Sequence, residues 1–113
     1  MNTLFILNDG PYGTVRSYNG LRLARALGKL HGETVRVFLM GDAVACAKVG
    51  QKVPEGYYNA GDMVGMVGGE VALCGTCMDA RGLGDGELVD NARRSTLKEL
   101  AEWTAAADKV LVF

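Results

Sequence analysis

The run Thr3-Leu4-Phe5-Ile6-Leu7 places apolar side chains at successive positions, so an extended chain there has two faces to cover. A half-exposed antiparallel strand alternates apolar with polar. A run apolar on both faces fits a strand buried in a parallel sheet between two layers of helices. Asn8-Asp9-Gly10-Pro11 ends the run with turn residues. Three later segments read as strands: Thr34 to Met40, Glu70 to Leu73, and Lys109 to Phe113, which is expected to close the chain as a buried strand.

Helical spacing fills the intervals. From about Thr14 to Leu30, Leu23, Leu27 and Leu30 fall at i, i+4 and i+7, widened by Leu21, Ala24 and Gly28, with Arg22, Arg25 and Lys29 on another face. His31-Gly32 supplies a stop. Strand, helix and strand over residues 3–40 make a right-handed βαβ unit. A short helix is expected over Ala43 to Lys48, carrying Cys46, and a second, glycine-weakened one over Asp62 to Val67. Between them Gly50 to Ala60 is the longest irregular segment, long enough for a functional loop or a subunit cover. Leu88-Val89 is read as a further short strand. Thr96 and Glu99 have capping-box spacing before a helix to about Ala107, with Leu97, Leu100, Ala101 and Thr104 on one face. The alternation predicts one domain over residues 1–113 with a three-layer α/β/α architecture and a mainly parallel sheet.

The totals narrow the function. A net charge of −1 over 113 residues gives no basic surface of the kind nucleic-acid binding requires. The apolar run near the start is too short for a signal-peptide core or a bilayer span, so the expected setting is the cytoplasm, with no membrane. Three cysteines cannot pair fully within one chain, and in the cytosol such thiols are redox-active, metal-binding or buried.

Two of them form Cys74-Gly75-Thr76-Cys77, directly after the strand Glu70 to Leu73. That is the carboxyl end of a parallel strand, where ligands bind in α/β sheets. A working thiol reacts as thiolate and needs a lowered pKa with access to solvent. Residues 77–81 are expected to form a helical turn stopped by Gly82, with N–H groups at its start favouring the thiolate and Arg81 able to fold back. A second thiol three residues on can resolve a mixed disulfide or persulfide. The plainer alternative is that both cysteines are small buried hydrophobes. Thioredoxin chemistry fits poorly, because Gly-Thr separates the thiols and no aromatic flanks them. A structural zinc site wants four ligands; Cys74, Cys77, Cys46 and the lone His31 would have to combine across subunits, and neither a metal nor another cofactor is expected.

Other groups belong near the same sheet edge. Asp9 and Tyr12 follow the first strand and are candidates to line the site, although turn chemistry alone also explains this stretch. Asp42 and Cys46 follow the second strand; Cys46 lies in Ala-Val-Ala-Cys-Ala, which favours packing. Arg93-Arg94 reads as a solvated or helix-flanking pair, and Trp103 as a core or interface aromatic.

Taken together these residues resemble the DsrE/DsrF-like family, small proteins of bacterial and archaeal sulfur metabolism. The resemblance rests on Asn8-Asp9, Gly41-Asp42-Ala43-Val44, Gly50-Gln51-Lys52 with Pro54, Leu73 to Gly82, and Ala107 to Phe113. It implies a five-stranded parallel sheet, assembly into homotrimers or homohexamers, and a persulfide carried on the cysteine after a central strand, which is Cys74 here. It further implies sulfur donor and acceptor proteins or small thiols as partners. Cys77 marks a C-x-x-C subgroup; relatives in the tRNA-thiolation relay lack it. The sequence therefore predicts sulfur carriage on Cys74, resolved by Cys77, with Gly75, Thr76, Arg81, Asp9, Tyr12, Asp42 and Cys46 around it. A non-catalytic assembly or small-ligand subunit and a dithiol–disulfide switch are the alternatives.

Overall fold

A computed structural model describes residues 1–113. Its strands are β1 (Asn2–Leu7), β2 (Thr34–Leu39), β3 (Glu70–Cys74), β4 (Ala92–Ser95) and β5 (Lys109–Val112). They form one sheet in the order β4-β3-β2-β1-β5, with every pairing parallel. The helices are α1 (Arg16–Gly28), α2 (Ala60–Gly65), α3 (Gly75–Ala80) and α4 (Leu97–Ala106), with 3₁₀ segments at Gly41–Ala47 and Asp85–Glu87.

The handedness of the crossovers decides which face each helix covers. From β1 to β4 the chain steps outward one strand at a time. The step from β4 to β5 runs back across the whole sheet. Right-handed connections in opposite directions lie on opposite faces. Thus α1, α2, the 3₁₀ segment Gly41–Ala47 and α3 cover one face over a core that includes Phe5, Leu7, Val37, Leu39, Val71 and Leu73. Only α4 covers the other, over Leu4, Phe38, Ala72, Leu100 and Trp103.

The expected α1 stripe faces the sheet in part, through the buried Leu21 and Ala24 and through Leu27, which packs against the core. The buried positions are Ser17, Gly20, Leu21 and Ala24, whereas Leu23 and Leu30 are exposed. Close approach explains the choice: a side chain at Gly20 would stand 2.5 Å from Leu7 Cδ2 and 3.2 Å from the Phe113 ring. The small residues mark where helix meets sheet. In α4 Leu100 and Trp103 are buried and Leu97 is 70% exposed, so of the expected face Leu97, Leu100, Ala101 and Thr104 only Leu100 turns to the sheet. Thr96 does cap α4, accepting from Glu99 N at 3.2 Å, but the Glu99 carboxylate turns away to Arg93 and Ser95.

Two strand assignments change. Leu88-Val89 is no ladder strand; Leu88 makes an isolated antiparallel bridge to Lys48. The fourth strand is Ala92-Arg93-Arg94-Ser95, which hydropathy hides because both arginines are neutralised in place. Arg93 reaches Glu99 and Glu70 and lies over the Trp103 ring, with its guanidinium carbon 5.6 Å from the centroid. The last strand, expected to be buried, is the sheet's other edge: Val110 is 39% and Val112 65% exposed. Because Leu4 pairs with Val110 and Ile6 with Val112, both valines lie on the α4 face, which one helix cannot cover.

Candidate functional site

Strand β3 passes into α3 without an intervening loop. Cys74 is both the last residue of the strand and the N-cap of the helix, with φ −59° and ψ 113°. The helix therefore begins at Gly75, two residues earlier than the spacing predicts. Its first turn aims backbone at the sulfur: Cys77 N–H donates to Cys74 Sγ at 3.4 Å. Gly82, at φ 64°, ends the unit as expected, in a conformation open chiefly to glycine.

The pleat separates the two thiols. Cys74 lies on the face of Ala72, beside the half-buried Ile6 and Met40 of the α4 layer. Cys77, one helical turn on, packs against the larger core on the opposite side. Both are partly exposed. The position is also where the sheet's connections diverge, since β3 continues into α3 on one face and the adjacent β4 into α4 on the other. Crevices in open α/β sheets form between neighbouring strand ends that part in this way. Ser95 pairs with Cys74 in the β3/β4 register.

The electrostatics differ from the expected depressed thiol. Burial pushes Cys74 above its ordinary value and the Cys77 side chain adds to the rise, while the backbone N–H groups of Cys77 and Thr76 pull the other way. The cations that could have lowered it are engaged elsewhere. Arg81 sits at the far end of α3, bound to Asp42 through Nε (3.0 Å) and Nη2 (2.9 Å), and donates to Cys77 O at 3.0 Å. Arg94, expected as part of a solvated or helix-flanking pair, donates to Gly75 O at 3.1 Å, Asp79 at 2.9 Å and Asp85 at 2.6 Å. Period-two alternation in β4 sends Arg93 and Arg94 to opposite faces, the signal that would have separated their roles.

The remaining expected site residues divide into two groups. Asp42 joins the α3 region through Arg81, and Gly10 and Gly41 let the β1 and β2 ends close around it. Asp9 and Tyr12 instead organise the neighbouring loop. The Asp9 carboxylate accepts from Thr14 at 2.7 Å and Arg16 at 3.5 Å, and Tyr12 OH bonds Gln51 and accepts from Ala60 N at 3.1 Å. Gln51 in turn donates to Ala45, Cys46 and Lys48 carbonyls, which fastens the Gly50–Ala60 segment to the 3₁₀ segment. Tyr58 OH donates to Pro11 O at 2.7 Å and its ring sits 4.7 Å from Tyr57 and 4.3 Å from Tyr18. Cys46 is fully buried, with Sγ 3.9 Å from Asp9 O, and burial pushes its thiol up to about 12. It is a core residue.

No three His, Cys, Asp or Glu groups converge as metal ligands. The widest surface concavity runs along α1, past Arg22, Arg25 and Lys29, and neither thiol lines it or the smaller cleft between Lys48 and Arg81. Cys74 is half-buried outside both of these concavities. No helix is long and apolar enough to cross a membrane.

Comparison with known proteins agrees with this geometry. The Escherichia coli protein YchN is 43% identical over 114 residues, covering 97% of each chain. The Methanocaldococcus jannaschii protein MJ0989 is 32% identical over 115 residues, covering both chains fully. The crystal structure of E. coli ychN superposes with a TM-score of 0.92 at 42% identity over 99% of this chain and 98% of that one. The Methanobacterium thermoautotrophicum protein MTH1491 shares the fold, with a TM-score of 0.73 at 12% identity over 99% of this chain and 98% of that one. The model of the DsrE/DsrF-like family matches residues 1–113, and the chain belongs to that family.

Proposed function

We propose that this protein carries sulfane sulfur as a persulfide on Cys74 and that Cys77 discharges it. The observation that carries this reading is the N-capping thiol at the β3/β4 divergence, held by the Cys77 N–H with a second thiol one turn away. In loading, the Cys74 thiolate attacks the outer sulfur of a donor persulfide; a new S–S bond forms, the donor's S–S bond breaks, and the donor leaves as thiolate. In delivery, an acceptor thiolate attacks the outer sulfur and Cys74 returns as thiolate. Alternatively the Cys77 thiolate attacks the Cys74 sulfur, expelling hydrosulfide and leaving a Cys74–Cys77 disulfide that a thiol reductant restores. Desolvation keeps the resting thiol largely protonated but makes its thiolate fraction the stronger nucleophile.

Sulfur donor and acceptor proteins or small thiols in the cytoplasm are the partners this chemistry needs. The exposed Leu97, Val110 and Val112 support assembly into a homotrimer or homohexamer, since a bare apolar edge strand invites pairing. The same surface favours a second reading, an assembly subunit without turnover. Incubation of the Cys77→Ser variant, in which the resolving disulfide cannot form, with inorganic polysulfide followed by intact mass measurement separates the two. One added sulfur atom, lost in Cys74→Ser, is expected. No added sulfur, or equal labelling of Cys74→Ser, refutes carriage.

A further inference from the structure

We propose that Arg94 is a positioning residue for Cys74, setting the thiol's reactivity by clamping the first turn of α3 without touching the sulfur. The proposal rests on the reading of Cys74 as the working thiol and names what holds it in place.

Two independent features converge on this arginine. Its guanidinium spans the start of α3 and the loop that follows, donating to Gly75 O at 3.1 Å, Asp79 at 2.9 Å and Asp85 at 2.6 Å. Gly75 itself is shaped to the arginine: a Cβ there would lie 2.9 Å from Arg94 Nη1, 3.1 Å from Ser95 O and 3.2 Å from Arg94 Cγ. The helix start is thus pressed against β4 at the one residue that joins Cys74 to the turn. The Gly75 carbonyl shares its peptide unit with the Thr76 N–H, and the next unit carries the Cys77 N–H that reaches Cys74 Sγ at 3.4 Å, so a clamp on this carbonyl holds the start of the turn from which both N–H groups act on the sulfur.

Charge alone does not account for the arrangement. Two carboxylates neutralise the guanidinium, and the influences on the Cys74 thiol are burial, Cys77 and the Thr76 amide. What Arg94 supplies is geometry. A planar fork holds three acceptors in fixed directions, which a lysine ammonium cannot reproduce. Arg93, one residue earlier, makes comparable ion pairs to Glu70 and Glu99 on the face that carries Ala72 and Cys74, and none to α3, so its removal tests the loss of a neighbouring cation without release of the turn.

The test follows the pH dependence of Cys74 alkylation by iodoacetamide in the Cys77→Ser background, located by peptide mass. With the turn released, the thiolate loses the aimed N–H and the profile moves to higher pH. Arg94→Lys and Arg94→Ala are both expected to slow alkylation about three- to tenfold on the acid limb. Asp79→Asn, which loosens one tine of the fork and keeps the arginine, should move it in the same direction by less. Arg93→Ala should leave the profile in place even where it lowers the melting temperature. An unchanged profile in Arg94→Lys and Asp79→Asn, or an equal displacement in Arg93→Ala, overturns the proposal. Alkylation does not depend on sulfur loading, so failure of persulfide carriage is read separately, by polysulfide and intact mass on the Cys77→Ser chain.

Discussion

Alkali should unfold this protein partly through Cys46, and Cys46→Ala should reverse its effect on stability as the pH rises. The thiol is fully buried and pushed from an ordinary 9.0 up to about 12. An acid whose folded pKa is raised releases its proton more readily from the unfolded chain. Its contribution is therefore fully present below the unfolded value and lost as pH climbs towards the folded one. Each pH unit in that window costs about 1.4 kcal/mol, so Cys46 removes roughly 2–3 kcal/mol by about pH 11. Near neutrality the alanine variant should be the weaker by about 1 kcal/mol, the effect of deleting one packed atom. Above about pH 10 it should become the stronger, because it has no proton to lose. The difference between the two proteins carries the Cys46 proton together with the push that the Cys46 thiolate exerts on Tyr58. Urea unfolding of reduced protein at the two pH values measures it. A wild-type-minus-variant difference that does not change with pH would refute the reasoning and place the thiol in contact with solvent. Native alkylation gives a second reading: Cys74 and Cys77 should react, and Cys46 only after denaturant is added.

Two glycines four residues apart should respond to alanine with opposite sign. A Cβ at Gly69 would stand 1.8 Å from Val35 O on the adjacent backbone, so Gly69→Ala should cost about 2–4 kcal/mol in urea unfolding, whereas Gly65→Ala meets nothing within 4 Å in α2 and should gain a few tenths. Val112→Lys puts a charge on the exposed edge strand and should shift the protein to a smaller assembly by light scattering; a wild type that is already monomeric across concentration would remove the case for pairing there.

The sheet was legible because its central strands had no other use for their side chains. Thr3 to Leu7 and Thr34 to Leu39 are apolar at nearly every position, and only a two-sided burial satisfies such runs. The edges were not legible, for opposite reasons. β4 is Ala-Arg-Arg-Ser, polar in sequence and a strand only because carboxylates from β3, α3, α4 and the Asp85 loop meet its arginines. β5 looks buried because Val110-Leu111-Val112 is apolar, yet Val110 and Val112 are exposed. Hydropathy reports what a residue prefers, and at an edge that preference can be met by another chain or overridden by an ion pair.

The site shows the same division at closer range. C-x-x-C after an apolar strand was enough to locate a thiol at a strand end and a helper one turn away. The sequence does not say that Cys74 is itself the cap, because capping by sulfur has no compositional signature of the kind Ser, Thr and Asp provide. It also points to Arg81 as the nearby cation. Arg81 lies in the motif, but four residues past Cys77 puts it at the carboxyl end of a six-residue helix, where it closes the turn against Asp42. Arg94 lies twenty residues from Cys74 and reaches the turn because β4 pairs with β3 in a register that sets it beside Leu73. Parallel pairing thus supplies what proximity in sequence cannot. Cys74 ends β3, caps α3 and is followed by a residue whose carbonyl a β4 arginine binds, so the strand the sequence concealed is the one that meets the candidate site from the side.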